Sequence, residues 1–183
     1  YELNKEDNII RHEVEVTRSA DLVVNDVKVP EEMVVGHQQT LSVSLTNQGD
    51  ADVTFPFFID FYDNGMKTQQ IPVEGIRAGE TKILDVTIVP ESVGPKVIDL
   101  VVDEVNEVGE EDKANNTKQL NLTILDLPKV IIESINYVPE EPLLAQEIEV
   151  EVTIKNVGGS TARNTPVRLL NGENEIDRIT VDE

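Results

Sequence analysis

The tetrapeptide Val29-Pro30-Glu31-Glu32 returns as Val138-Pro139-Glu140-Glu141. The same displacement carries Val43 onto Val152, Asn47 onto Asn156 and Gly49 onto Gly158, a period of about 109 residues held without a gap. A fainter echo lies at the front, where Glu13-Val14-Glu15-Val16-Thr17 reads like Asn121-Leu122-Thr123-Ile124-Leu125 and Asp7-Asn8 like Asn115-Asn116. A period of this length marks a repeated, domain-sized unit. The expected organisation is a closing strand of one unit over 1–18, a complete unit over 19–126 and the first four strands of a further unit over 127–183. Arrays of this kind space, display or bind more often than they catalyse, because each unit contacts only its neighbours.

Inside the complete unit the hydrophobic period is that of strands. Leu41, Val43 and Leu45 alternate with Ser42, Ser44 and Thr46, and Leu84, Val86 and Ile88 with Asp85 and Thr87. Ile98, Leu100 and Val102 form a further apolar row, and Leu120, Leu122 and Ile124 the last. Asn64-Gly65 is a hairpin signal, since both residues tolerate the positive φ of a type I′ turn. Ala78-Gly79-Glu80 and the stretch 90–95 mark two more turns. The pattern predicts seven strands, at about 21–29, 40–47, 57–63, 66–73, 81–89, 96–103 and 117–125, with no helical period anywhere. Seven short antiparallel strands over such a length describe an all-β, immunoglobulin- or fibronectin-like sandwich. The junction Leu125-Asp126-Leu127-Pro128-Lys129 is short and lacks Gly and Ser, so adjoining units are expected to meet at a restricted angle.

Composition narrows the function. A net charge of −21 disfavours binding to nucleic acid or anionic lipid, which need clustered Lys and Arg. The absence of Cys excludes disulfides, thiolate metal sites and a Cys nucleophile. The only two histidines, His12 and His37, are far apart and read as surface residues. No run approaches the ~20 apolar residues that span a bilayer. No nucleophile elbow, P-loop, dinucleotide fingerprint or HExxH is present.

The complete unit resembles the CARDB domain, a cell-adhesion-related β-sandwich of bacterial and archaeal surface proteins. The resemblance runs through Ala20-Asp21-Leu22-Val23-Val24, Thr46-Asn47-Gln48-Gly49, 57–62 with Asn64-Gly65, Ala78-Gly79-Glu80-Thr81, Asp103-Glu104-Val105-Asn106-Glu107 and Asn115-Asn116-Thr117. It departs at Glu110-Glu111-Asp112-Lys113-Ala114, where the family carries a Glu-Ser-x-Glu pattern. The resemblance implies an extracellular or cell-surface, repeated, adhesive or spacer-like protein with no enzymatic activity of its own.

Four groups of residues invite a functional reading. The acidic loop with Asp103, Glu107, Glu110 and Asp112 is oxygen-rich, as Ca²⁺ requires, but lacks EF-hand spacing. A solvated loop whose Asn side chains cap backbone groups accounts for the same residues, and no cofactor is needed. Asn115 and Asn121 each begin an N-x-Thr glycosylation sequon, with Asn121 expected to point outward. Asn47 and Gly49, with Asn156 and Gly158, read as turn residues supplying left-handed backbone. Phe55, Phe57, Phe58, Phe61 and Tyr62 could stack on sugar, though Phe57 and Phe61 fit core positions.

The leading expectation is a non-catalytic structural or adhesive repeat, a spacer or interaction unit of a surface layer or filament. The alternative is a carbohydrate- or calcium-binding accessory module of a secreted enzyme. Partners would be other repeats of the same protein or neighbouring surface proteins. Incomplete units at the ends would reflect either a cut through a longer array or strand exchange between molecules.

Overall fold

The structure is a computed structural model, and it describes residues 12–13, 17–110 and 112–182. Twelve strands and no helix are found among the described residues. The first eight are β1 (Leu22–Lys28), β2 (Met33–Val34), β3 (Gln39–Asn47), β4 (Phe57–Asp63), β5 (Met66–Val73), β6 (Thr81–Ile88), β7 (Gly94–Val102) and β8 (Thr117–Leu125). They form two sheets, β1-β3-β6 and β2-β8-β7-β4-β5. The inward rows of both sheets meet in one core. Leu22, Leu41, Val43, Leu45, Phe57, Ile59, Phe61, Val86, Leu100 and Val102 are buried in it, with Leu84, Ile88, Leu120 and Leu122 packed at its margin. This is the expected sandwich. The hairpin signal also holds, because Asn64 and Gly65 both have positive φ, at 48° and 80°.

One element departs from an all-antiparallel scheme. After Pro30 the chain leaves the three-stranded sheet, and Met33 and Val34 pair parallel with Ile124 and Leu125 of β8. Two residues carry no readable period, and their partners lie far along the chain. The crossing closes one side of the sandwich and buries Met33 and Val34. Core residues outside the alternating rows, namely Val53, Ile76 and Val108, come from connecting segments.

Beyond the short connection come β9 (Val130–Val138), β10 (Glu149–Asn156), β11 (Thr165–Asn171) and β12 (Asn174–Val181). They make two separate antiparallel hairpins, β9-β10 and β11-β12. The closing strand expected at Glu13–Thr17 falls, apart from its two end residues, outside the described residues.

Candidate functional site

Three places could carry function: the corner built around Asn47, the acidic loop before β8, and the open face of the last two hairpins.

Asn47 ends the inward row of β3 and is fully buried. Its Oδ1 accepts hydrogen bonds from the Asp21 and Gly49 amides, each at 3.1 Å. Its Nδ2 donates to the Ala51 carbonyl at 2.8 Å and the Ile76 carbonyl at 3.4 Å. The side chain therefore ties the entry to β1, the loop after β3 and the loop after β5 into one corner. This corrects the reading of Asn47 and Gly49 as left-handed turn residues, since neither has positive φ. Gly49 is required for room instead: a Cβ there would lie 2.3 Å from the Ser19 carbonyl oxygen and 2.6–2.7 Å from Ala20 backbone atoms.

The acidic loop is organised by its own backbone. Asp103, buried and at φ 48°, accepts the Glu107 amide on Oδ1 at 3.0 Å and the Val108 amide on Oδ2 at 2.9 Å. Glu110 accepts the Leu22 amide on Oε1 at 2.7 Å, and its Oε2 accepts from Asn116 Nδ2. Burial, first of all, pushes the Glu110 carboxyl above the ordinary range, against the pull of those hydrogen bonds. Asp112 accepts the Ala114 amide at 2.8 Å, and Glu107 is exposed. Among the described residues no three His, Cys, Asp or Glu side chains are grouped to hold a metal ion. Asp103, Glu107, Glu110 and Asp112 are thus neighbours in the loop, but each oxygen of Asp103 and Glu110 already accepts a hydrogen bond, and among the described residues the four are not gathered into one metal-holding group. Asn115 is held as well, since its Nδ2 donates to Asp21 Oδ1 at 2.8 Å. Asn121, by contrast, is exposed on β8.

The aromatic cluster divides as its alternation requires. Phe57 and Phe61 fill the core. Tyr62, on the opposite face, donates its hydroxyl to Glu104 Oε1 at 2.6 Å, and Lys67 bridges Glu104 at 3.4 Å and buried Asp60 at 2.9 Å. His12 and His37 are exposed.

The last two hairpins match two strand pairs of the first sandwich in register, β9–β10 with β1–β3 and β11–β12 with β4–β5. Val130 pairs with Asn156 as Leu22 pairs with Asn47. Asn25 is the bulged residue of β1, and Glu133 is the bulged residue of β9 at the matching place. Thr68 is the extra residue of β5, and Ile176 the extra residue of β12. Asn156 Oδ1 accepts the Lys129 and Gly158 amides at 3.1 and 3.0 Å, and Nδ2 donates to the Ser160 carbonyl, reproducing the Asn47 corner. What differs is cover. Val24 and Val27 are 5% and 8% exposed, whereas Ile132 and Ile135, in the same register, are 59% and 56% exposed. The two hairpins leave between them a cleft of about 250 Å³ lined by Ile132, Ile135, Val152, Val167, Leu169 and Ile179.

Two sheets around one core with a side-chain-anchored corner, followed by two hairpins in matching register, define an all-β sandwich module. The CARDB family model matches residues 19–120, and the chain belongs to that family. CARDB is a non-catalytic, cell-adhesion-related family associated with surface proteins. Among solved structures, the chain is similar to the CARDB domain of PF1109 from Pyrococcus furiosus in complex with di-metal ions. That match has 26% identity and a TM-score of 0.53 and covers 58% of this chain and 89% of that one. The solution structure of the same domain matches at 25% identity with TM-score 0.53, over 59% and 97%. A 272–376 domain of a putative cell surface protein from Methanosarcina acetivorans shares the fold at 21% identity and TM-score 0.53, over 58% and 93%. No curated protein matches the chain. No helix among the described residues is long and apolar enough to cross a membrane.

Proposed function

We propose that the chain is a non-catalytic spacer segment of a secreted or cell-surface protein of bacterial or archaeal type, built from tandem CARDB-like units. The observation that carries this reading is the restart. Four residues after β8 ends, the same strand register, the same two bulges and the same Asn corner begin again. In this reading 19–126 is one whole unit, 127–183 is the opening half of another and 1–18 belongs to a preceding one. The natural partners are then further repeats, packed on the open face of β9–β12, or neighbouring surface proteins in a layer or filament. Strand exchange between copies of the chain would use the same face.

Pulling the chain from its two ends in a single-molecule experiment tests the spacer role. A spacer unit of 19–126 gives one cooperative unfolding step whose length matches that whole segment. Gradual extension without such a step would reject the reading.

The relative from Pyrococcus furiosus in complex with di-metal ions favours a second reading, that of a metal-binding module, with calcium the cation expected from the oxygen-rich loop. The spent oxygens of Asp103 and Glu110 argue against it here. The expected result is that millimolar Ca²⁺ leaves the melting temperature unchanged, and a clear rise would restore the calcium reading. If the protein is glycosylated, Asn121 is the acceptor, because the Asn115 carboxamide is already engaged.

A further inference from the structure

We propose that Glu32 is a latch between the first sandwich and the β9–β12 unit, which makes this part of the chain a rigid spacer instead of a hinged one. The proposal rests on the spacer reading and concerns the junction within it. Separate units joined by a short connection move relative to one another unless something holds them. Here the connection is gripped from both sides. The Val35 amide donates to the Leu125 carbonyl at 3.0 Å, extending the grip of β2 on the end of β8. From the other side, the Gly159 amide donates to the Leu127 carbonyl at 3.2 Å and the Val157 amide to the Lys129 carbonyl at 2.8 Å. Gly158 and Gly159 lie so close to this connection that a Cβ on either would come within 2.3 Å of Lys129 N or 2.8 Å of Asp126 N.

Across this clamp one side-chain contact joins the two bodies directly. Glu32 Oε1 accepts hydrogen bonds from both the backbone amide of Thr161, at 3.3 Å, and its Oγ1 hydroxyl. Glu32 stands just before β2, on the first sandwich, and Thr161 follows the Asn156 corner of the second unit. A charged acceptor taking two donors from one residue fixes direction as well as distance. Asp52, which holds the place of Thr161 in the first unit, has no donor side chain when ionised, and its Oδ1 accepts the Ala78 amide at 2.8 Å. Position 52 therefore cannot supply the hydroxyl donor that Thr161 gives to this junction.

The chain has no Cys, so spin labels can be placed at will. Thr87→Cys on β6 and Thr153→Cys on β10, both exposed, report the distance between the two bodies by pulsed electron resonance. The latched chain gives one narrow distance peak. Glu32→Ala broadens it while leaving the melting temperature of the first sandwich unchanged. Glu32→Gln keeps an acceptor oxygen and preserves a narrow peak. Thr161→Val, which removes the hydroxyl donor but keeps the amide, broadens it less than Glu32→Ala. A broad distribution in the parent chain, or an unchanged narrow one in both Glu32→Ala and Thr161→Val, would overturn the latch. Neither result would touch the spacer reading, which stands on the pulling experiment.

Discussion

The Asn47 carboxamide makes four hydrogen bonds from a fully buried position, and no apolar residue of its size could replace them. Asn47→Ala strands the Asp21 and Gly49 amides and takes a donor from the Ala51 carbonyl, while the Ile76 carbonyl keeps the Val53 amide; the expected loss is about 2–4 kcal/mol, read from urea unfolding of the first sandwich. A loss below half a kcal/mol would mean that water replaces the side chain. The sequence carried a usable sign of this role. Asn47 falls on the inward phase of Leu41, Val43 and Leu45, so the alternation alone placed a polar residue in the core. Asp103 had no such sign, because its burial comes from a loop wrapping back on its own carboxylate. Glu110 sets a pH dependence. Its folded-state pKa is raised above the ordinary value of 4.5, so the folded chain binds the proton more tightly than the unfolded one. This group's contribution to stability is therefore greatest below about pH 4.5 and falls as pH rises through the folded pKa. Asn116 Oδ1 has no partner among the described residues. Turning that carboxamide over would let it accept a proton-bearing group at position 110. Glu110→Gln is accordingly expected to fold and to flatten the fall of melting temperature as pH rises above 4.5, relative to the parent. An unchanged pH profile would remove Glu110 from the account.

The strands themselves were largely legible, and the reasons are physical. β3 alternates cleanly because one face lies on the core and the other is partly open to water, whereas in β4 the pattern is broken by Asp60, buried under Lys67. β2 was not legible, since two residues have no period and their pairing with β8 is set by the packing of the whole sandwich. Glycine supplies a test at this scale, because Gly49 and Gly65 are needed for different reasons. At Gly65 the backbone has φ 80° and nothing lies within 4 Å of a new Cβ, so Gly65→Ala costs only backbone strain, about 1–2 kcal/mol. At Gly49 the φ is ordinary but a Cβ would strike the Ser19 and Ala20 backbone. Gly49→Ala must push the entry to β1 away from the Asn47 corner and is expected to cost more than Gly65→Ala. Thermal melts of the two variants side by side decide it, and the reverse order would show that the corner yields easily.

On the scale of the whole molecule, the period of about 109 residues read from the sequence is a composite. The pairing equates Val27 with Ile135 but Val43 with Val152, so the first strand is offset by one residue less than the third. The chain between them gains a residue near Val138-Pro139, which the identical tetrapeptides concealed. The structural copy is nonetheless close, down to the bulges, and this makes the difference in burial informative. The first sandwich encloses its inward rows between two sheets, while β9–β12 present theirs to solvent. Amide hydrogen exchange on the intact chain measures this contrast directly. The account predicts that amides of β3, β4 and β7 exchange only through global unfolding of the first sandwich, and that those of β9–β12 exchange far faster through local opening. Equal protection in β10 and β3 would contradict the claim that β9–β12 leave their apolar face open while the first sandwich encloses its own.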